Sequence, residues 1–432
     1  MKRLPDGLIL VAGGREAVRN NDVNYVFRQR SNFLYLTGIE EPGCYLLLDS
    51  KRKLETLFIP KTDTHHRVWL GHVPDANEAR ELYGIDRVLY NDRLEAELKK
   101  SVKGHRSLLL ETTAPAGAEI HLNGFESDTE ILEDALWELR AVKTPKEIEF
   151  LKRASDTSSQ AHKKVMAMTR PGMREYQVQA IFESECLRAG LKHLAYPSIV
   201  ATGRNAAVLH YYRNSAEIKR GDLLVIDAGG EYKGYGADIT RTFPVSGKFT
   251  PRQKDIYAIV LEAQEDSIRR AKAGITSAEL HVNAMRAIAE GLKSLKILKG
   301  DTDNLVLDGA VRVFFPHGIG HLLGLDVHDG TGGKKRAFAN PTKVQLRFVA
   351  KLEPGFVMTI EPGIYFIPAL LEDPENRRKF KGVIDFTRAE SFLDLGGARI
   401  EDDIVIQKSG PPLNLTKVPK KIVDLEALVT KG

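Results

Sequence analysis

Asp222-Leu-Leu-Val-Ile-Asp227-Ala-Gly-Gly-Glu-Tyr-Lys-Gly-Tyr-Gly-Ala-Asp238-Ile-Thr-Arg-Thr-Phe-Pro-Val245 decides how the C-terminal half folds. Its first arm, Asp222–Ala228, is an apolar run of strand length. The middle, Gly229–Gly236, is glycine-rich and turn-like. The last arm, Asp238–Val245, alternates with period two. Together they predict a β-hairpin. Helices flank it. Thr144 is a good N-cap and Pro145 suits the first helical position, so a helix runs to about Met168, where Arg170-Pro-Gly-Met173 stops it. Tyr176–Ala189, Pro251–Lys272 and Ser277–Lys293 also read as helices. Ser198–Thr202, Phe356–Glu361 and Arg399–Ile406 read as strands, with a longer polar segment, Phe366–Leu395, between the last two. The basic run Arg377-Arg378-Lys379 within it reads as a solvated face. Segregated helices with antiparallel hairpins predict α+β for this half.

The N-terminal part has another rhythm. Gly7–Ala12, Tyr45–Asp49, Thr56–Ile59 and Ser107–Glu111 are short apolar runs, with helix-compatible pieces such as Asp75–Tyr83 and Asp92–Lys100 between them. That predicts an α/β unit. A helical reach, Asp128–Arg140, leads to a boundary near Lys143, giving domains 1–142 and 143–432. A chain of 432 residues is too long for one ordinary domain.

Composition narrows the function. With 42% hydrophobic and 28% charged residues the chain resembles a soluble globular protein. A net charge of +5, without a Lys/Arg run or a basic-aromatic ladder, gives no footprint for nucleic acid. Cys44 and Cys186 form no CxxC or finger spacing and read as small buried hydrophobes. The run Leu8–Ala12 is too short for a signal peptide, and no segment approaches a membrane span of about 20 apolar residues. The expected location is cytoplasmic, with no membrane partner.

The chemistry lies in carboxylates placed where strands rarely tolerate them. Asp227 ends Leu-Leu-Val-Ile, Asp238 opens the facing strand, Glu361 ends Val-Met-Thr-Ile, and Glu401 follows Ile400. Phe315-Pro-His317-Gly-Ile-Gly-His321-Leu-Leu-Gly-Leu-Asp-Val-His328-Asp329 adds three histidines amid apolar residues. Alone, that segment is equally a polar loop with hydrogen-bonded histidines. Four strand-end carboxylates beside it call for a shared cation. Gly318 and Gly320 argue against a helical His317/His321 zinc pair, so His321 is the expected ligand from a loop or strand end. His328 would be an outer or substrate-facing group, and His317 a packed core histidine. An oxygen-rich set with one imidazole favours Mn²⁺, Co²⁺ or Zn²⁺. Two such ions would sit about 3.5–4 Å apart, as in two-metal hydrolases.

Asp227–Thr242, His317-Gly-Ile-Gly-His321, Thr359-Ile-Glu361-Pro-Gly and Arg399-Ile-Glu401-Asp-Asp together resemble the pita-bread metallopeptidases. That family includes methionine aminopeptidase, aminopeptidase P, prolidase and creatinase. Phe27–Gly38 and Glu41-Pro-Gly are similar to the creatinase-like N-terminal domain of the proline-specific members. The resemblance implies an α+β pita-bread catalytic domain preceded by a smaller creatinase-like α/β domain. It implies two divalent metal ions, manganese foremost, with Asp227 on one, His321 and Glu361 on the other, and Asp238 and Glu401 bridging.

It further implies hydrolysis of the bond before proline by a metal-bridging hydroxide. His328 would stabilise the oxyanion and Glu361 would carry the proton. His210 and Arg347 are candidates for a substrate carboxylate, and Arg399 for a substrate contact or a brace on a ligand. Glu361–Leu371, the insert before Gly396 and Arg347 are similar to prolidase, which favours an Xaa-Pro dipeptidase. The step from His210 to Asp227 is equally similar to aminopeptidase P, which acts on longer peptides. A non-catalytic peptide-binding protein on the same fold is the alternative of another class. Relatives of this kind are often homodimers.

Overall fold

The computed structural model describes residues 7–102, 105, 107–110, 129–330 and 338–430. The chain divides into two compact units, Met1–Leu139 and Arg140–Gly432. The division falls inside the helix Thr129–Ala141, after Leu139 rather than after Val142.

The first unit is built on a five-stranded mixed sheet ordered Arg87–Tyr90, Leu54–Ile59, Tyr45–Asp49, Gly7–Ala12, Ser107–Leu110. Gly7–Ala12 pairs antiparallel with Tyr45–Asp49 and parallel with Ser107–Leu110. Its strands are apolar on both faces because both are covered. Ile9, Val11, Leu46 and Leu57 pack one side, and Leu8, Leu10, Leu47 and Phe58 the other. The helix Ala76–Tyr83 starts on a reciprocal Asp75–Glu78 cap. The helix expected over Asp92–Lys100 is Leu94–Val102, entered through a 3₁₀ turn at Asn91–Arg93. Glu111 and Asp128, the expected ends of a strand and a helix, lie outside the described residues.

In the second unit the helix Pro145–Met168 is capped reciprocally by Thr144 and Glu147. Pro251–Arg270 and Ser277–Ser294 carry the same device, Thr250 with Gln253 and Thr276 with Glu279. The strand Leu223–Asp227 is central, between Ile199–Thr202 and Thr240–Pro244. The hairpin forms, but its register pairs Asp227 with Thr240. Asp238 therefore precedes the strand rather than opening it. The glycine-rich middle is itself a two-stranded ribbon, Gly230–Tyr232 against Tyr235–Gly236. It turns at Lys233 and Gly234, whose positive φ values of 53° and 83° suit a tight hairpin.

The stretch Arg399–Ile406, expected as one strand, is two. Gly397–Arg399 pairs with Gly363–Tyr365, and Asp402–Val405 pairs with Val357–Ile360. Between them the Ile400 N–H donates to Pro362 O and the Glu401 N–H to Thr240 O. The chain changes partners there, so Glu401 and Glu361 both sit where strands break. The polar segment Phe366–Leu395 holds three short helices, Pro368–Leu371, Pro374–Phe380 and Phe386–Glu390. Arg377 is not merely solvated: it pairs with Glu390 and stacks over Phe386. Among the described residues no helix is long and apolar enough to cross a membrane.

Candidate active site

All nine residues singled out from the sequence line one cavity of about 540 Å³ in the second unit. Asp227, Asp238, His321 and Glu401 are buried, and Glu361 is nearly so. Ligand atoms of Asp238, His321 and Glu401 all lie within 4.8 Å of one another. His321 Nε2 stands 3.4 Å from Asp238 Oδ2 and 3.5 Å from Glu361 Oε1. Its other nitrogen, Nδ1, lies 3.1 Å from Leu322 O. An Nδ1–H donated there leaves the Nε2 lone pair facing the carboxylates, the usual setting of a metal-binding imidazole.

Local backbone pairing sets these positions. The Thr359 N–H donates to His321 O, and the Glu361 N–H to Ile319 O. The 319–321 segment thus lies along Val357–Ile360 and meets Glu361. Gly320 permits the approach, since a Cβ there would stand 2.0 Å from Thr359 O.

The electrostatics are those of crowded like charges. Burial, reinforced by Asp238, Glu361 and Asp227, pushes Glu401 well above the carboxylate range. Burial also raises Glu361, to about 7, and Asp227. Asp238 is the exception. Burial acts against its ionisation, but the close His321 ring and the Tyr196 hydroxyl outweigh that and lower it. His321 is held above its ordinary value because the Asp238 and Glu361 contacts overcome its burial. Four carboxylates and one inward imidazole form a hard donor set whose mutual repulsion a divalent cation relieves. The residues therefore fit a metal centre.

Several contacts had no sequence signal. The Tyr196 hydroxyl lies 2.6 Å from both Asp227 Oδ1 and Asp238 Oδ1. Arg399 Nη2 donates to Asp227 Oδ2 at 2.5 Å, and Nη1 to the Tyr365 hydroxyl at 2.9 Å. That hydroxyl, accepting from Arg399, donates in turn to His317 Nε2 at 2.8 Å. Arg399 is thus a brace on Asp227. His317, expected in the core, instead lines the cavity, and burial beside Arg399 pushes it down to about 3. His210 and Arg347 stand exposed on the cavity wall. His328 faces His321 edge to face, with ring centroids 4.4 Å apart.

A buried acidic nest around one imidazole, under an open cavity edged with cationic and imidazole groups, defines a metal-dependent hydrolase. The comparisons narrow the class: the chain belongs to metallopeptidase family M24, whose family model matches residues 149–408. The aminopeptidase P N-terminal domain matches residues 1–110. A probable Xaa-Pro aminopeptidase of Verticillium alfalfae is 38% identical over 428 residues, covering 98% of this chain and 92% of the relative. The human Xaa-Pro dipeptidase is 36% identical over 435 residues, with 97% and 88% covered. Zinc-substituted Escherichia coli aminopeptidase P in complex with product superposes with a TM-score of 0.86 at 36% identity, covering 99% of this chain and 94% of that one.

Proposed function

We propose that the chain hydrolyses the peptide bond preceding proline, with Asp227, Asp238, His321, Glu361 and Glu401 holding two divalent ions, manganese first. The observation that carries this reading is the convergence of those five side chains in one cavity. The names of the relatives, Xaa-Pro aminopeptidase and Xaa-Pro dipeptidase, supply the bond. When bound, such ions act as Lewis acids and lower the pKa of water to near neutrality.

The protein's own groups do the rest. Glu361, a carboxylate beside the attacked bond, takes a proton and passes it to the leaving imide nitrogen. His328, on the cavity side of His321, donates to the oxygen that gains charge as the carbonyl is attacked. A proline imide offers no N–H, so terminal charge must orient the substrate. Arg347 grips a carboxylate with its planar guanidinium, and His210 assists.

A carboxylate anchor at the cavity favours dipeptides. The aminopeptidase reading has its own support in the extent of the match to the E. coli enzyme. The test is a chelated sample re-supplied with Mn²⁺, Co²⁺ or Zn²⁺ and assayed on Gly-Pro and on a longer Gly-Pro peptide. Metal-restored cleavage of the dipeptide supports the first reading, and of the longer peptide alone the second. No cleavage of either with full metal occupancy would leave a non-catalytic peptide-binding protein.

A further inference from the structure

Behind His328 lies a charged cluster that the chemistry above does not use. Asp329 is buried, with its side chain 1% exposed, and its two oxygens take two different cations. Arg140 Nη2 donates to Oδ1, and Lys143 Nζ to Oδ2 at 2.8 Å. The Lys143 side chain is 1% exposed and that of Arg140 8%. Arg140 also reaches Asp326 Oδ2 at 2.6 Å. Ion pairs this deep contribute little net stability compared with apolar packing, and their best-attested use is to fix one arrangement over others.

The surroundings show what is fixed. The Asp329 N–H donates to Leu322 O at 2.9 Å, closing the loop 322–329 at its base. The Leu323 N–H donates to Val357 O, and the Lys143 N–H to Gly355 O, so loop and cations hang from one stretch of backbone. Gly324 makes room: a Cβ there would stand 2.3 Å from Asp329 Oδ2 and 3.1 Å from Lys143 Cε. The residue directly before the clamped carboxylate is His328.

We propose that Arg140 and Lys143, acting through Asp329, are positioning residues that hold His328 over the cavity. The proposal rests on the peptidase reading above. Its test is a double-mutant cycle on metal-loaded protein with an Xaa-Pro peptide as substrate: wild type, Lys143→Met, His328→Ala and the double variant. Lys143→Met leaves Arg140 on Asp329. It is expected to lower kcat about tenfold or more, with KM changed less than about twofold and metal content unchanged, as for a misplaced transition-state donor. In the His328→Ala background the same change should cost less than about twofold. Hydrogen exchange should rise in peptides covering 322–330. If Lys143→Met does not fold, Arg140→Met, which keeps Lys143 on Asp329, replaces it in the cycle. A full tenfold loss persisting without His328, or a wild-type kcat in the single variant, overturns the proposal. A metal-loaded wild type inactive on every Xaa-Pro peptide overturns the functional reading and the proposal with it.

Discussion

Glu175→Gln is the sharpest test of how the His210 side of the cavity is held. The Glu175 side chain is fully buried and its two oxygens receive four donors. Oε1 accepts from the Thr202 N–H at 2.9 Å and Asn205 Nδ2 at 3.0 Å. Oε2 accepts from the Tyr211 hydroxyl at 2.9 Å and the Ala216 N–H at 2.8 Å. These donors span the loop 202–216 that carries His210. An amide keeps the shape but replaces one acceptor with a donor. On the Oε2 side the Tyr211 hydroxyl can turn and accept, but the Ala216 N–H cannot. On the Oε1 side the Thr202 N–H has the same difficulty. One buried N–H is therefore left unmatched, costing roughly 1–3 kcal/mol. The remaining bonds lose their charge assistance, adding about as much again. The expected loss is about 2–6 kcal/mol, or about 4–12 °C in Tm at roughly 2 °C per kcal/mol for a unit of this size. Thermal unfolding followed by circular dichroism measures it, with KM for an Xaa-Pro peptide expected to rise as His210 loses its place. A Tm within 2 °C of wild type would refute the claim that this carboxylate organises the loop.

Glu401→Ala should remove most bound metal, measured by elemental analysis after equilibration with Mn²⁺, and peptidase activity should fall at least 100-fold; retention of both would count heavily against the shared-cation site. Arg347→Ala should raise KM sharply for a dipeptide and little for a tripeptide, whereas equal effects on both would favour the aminopeptidase reading. His281 is fully buried against Phe315, its ring nitrogens have no hydrogen-bond partner among the described residues, and burial pushes it down to about 3. Its folded pKa is depressed, so the unfolded chain binds the extra proton: stability is intact above about 6.5 and falls as pH drops toward 3, by about 1.4 kcal/mol per pH unit. His281→Leu should therefore lose about 2 kcal/mol less than wild type between pH 7 and pH 5, read as a flatter acid limb of Tm against pH, and parallel limbs would contradict it.

The helix from Pro145 was legible because its start carries local chemistry in Thr144 and Pro145, and the structure adds the same kind of cap at Thr276 with Glu279. Four candidate ligands were legible because a carboxylate at the end of an apolar run is anomalous in itself, and His321 because Gly318 and Gly320 argue against a helical histidine pair. The break at Ile400–Glu401 was hidden, since a β-branched run looks continuous until a partner strand ends. Tyr196 gave no sign, because a tyrosine before Pro197 carries neither charge nor period. The pairing of Lys143 and Arg140 with Asp329 joins residues 186 and 189 positions apart, beyond any local pattern.

Acidity alone does not tell Glu401 from its neighbour Asp402; position and the supply of donors do. In Glu401-Asp402-Asp403 three consecutive acids are buried, and a sequence gives no reason to choose among them. Asp402 receives Arg241 at 2.7 Å, Lys420 at 2.6 Å and Asn414 at 2.7 Å, and these cations, overcoming burial, hold it well below the carboxylate range. Glu175 has four donors and Asp329 two cations. Glu401, by contrast, has one short side-chain donor among the described residues, the Thr240 hydroxyl at 2.7 Å, and Glu361 has only the Thr359 hydroxyl at 3.4 Å. Both stay above the usual carboxylate range for want of compensation. Asp402, Glu175 and Asp329 face donors from the protein at both oxygens and lie outside the shared cavity, so they are structural. Glu361 and Glu401, left short and set around His321, are the two whose missing compensation an ion would supply under the proposed reading.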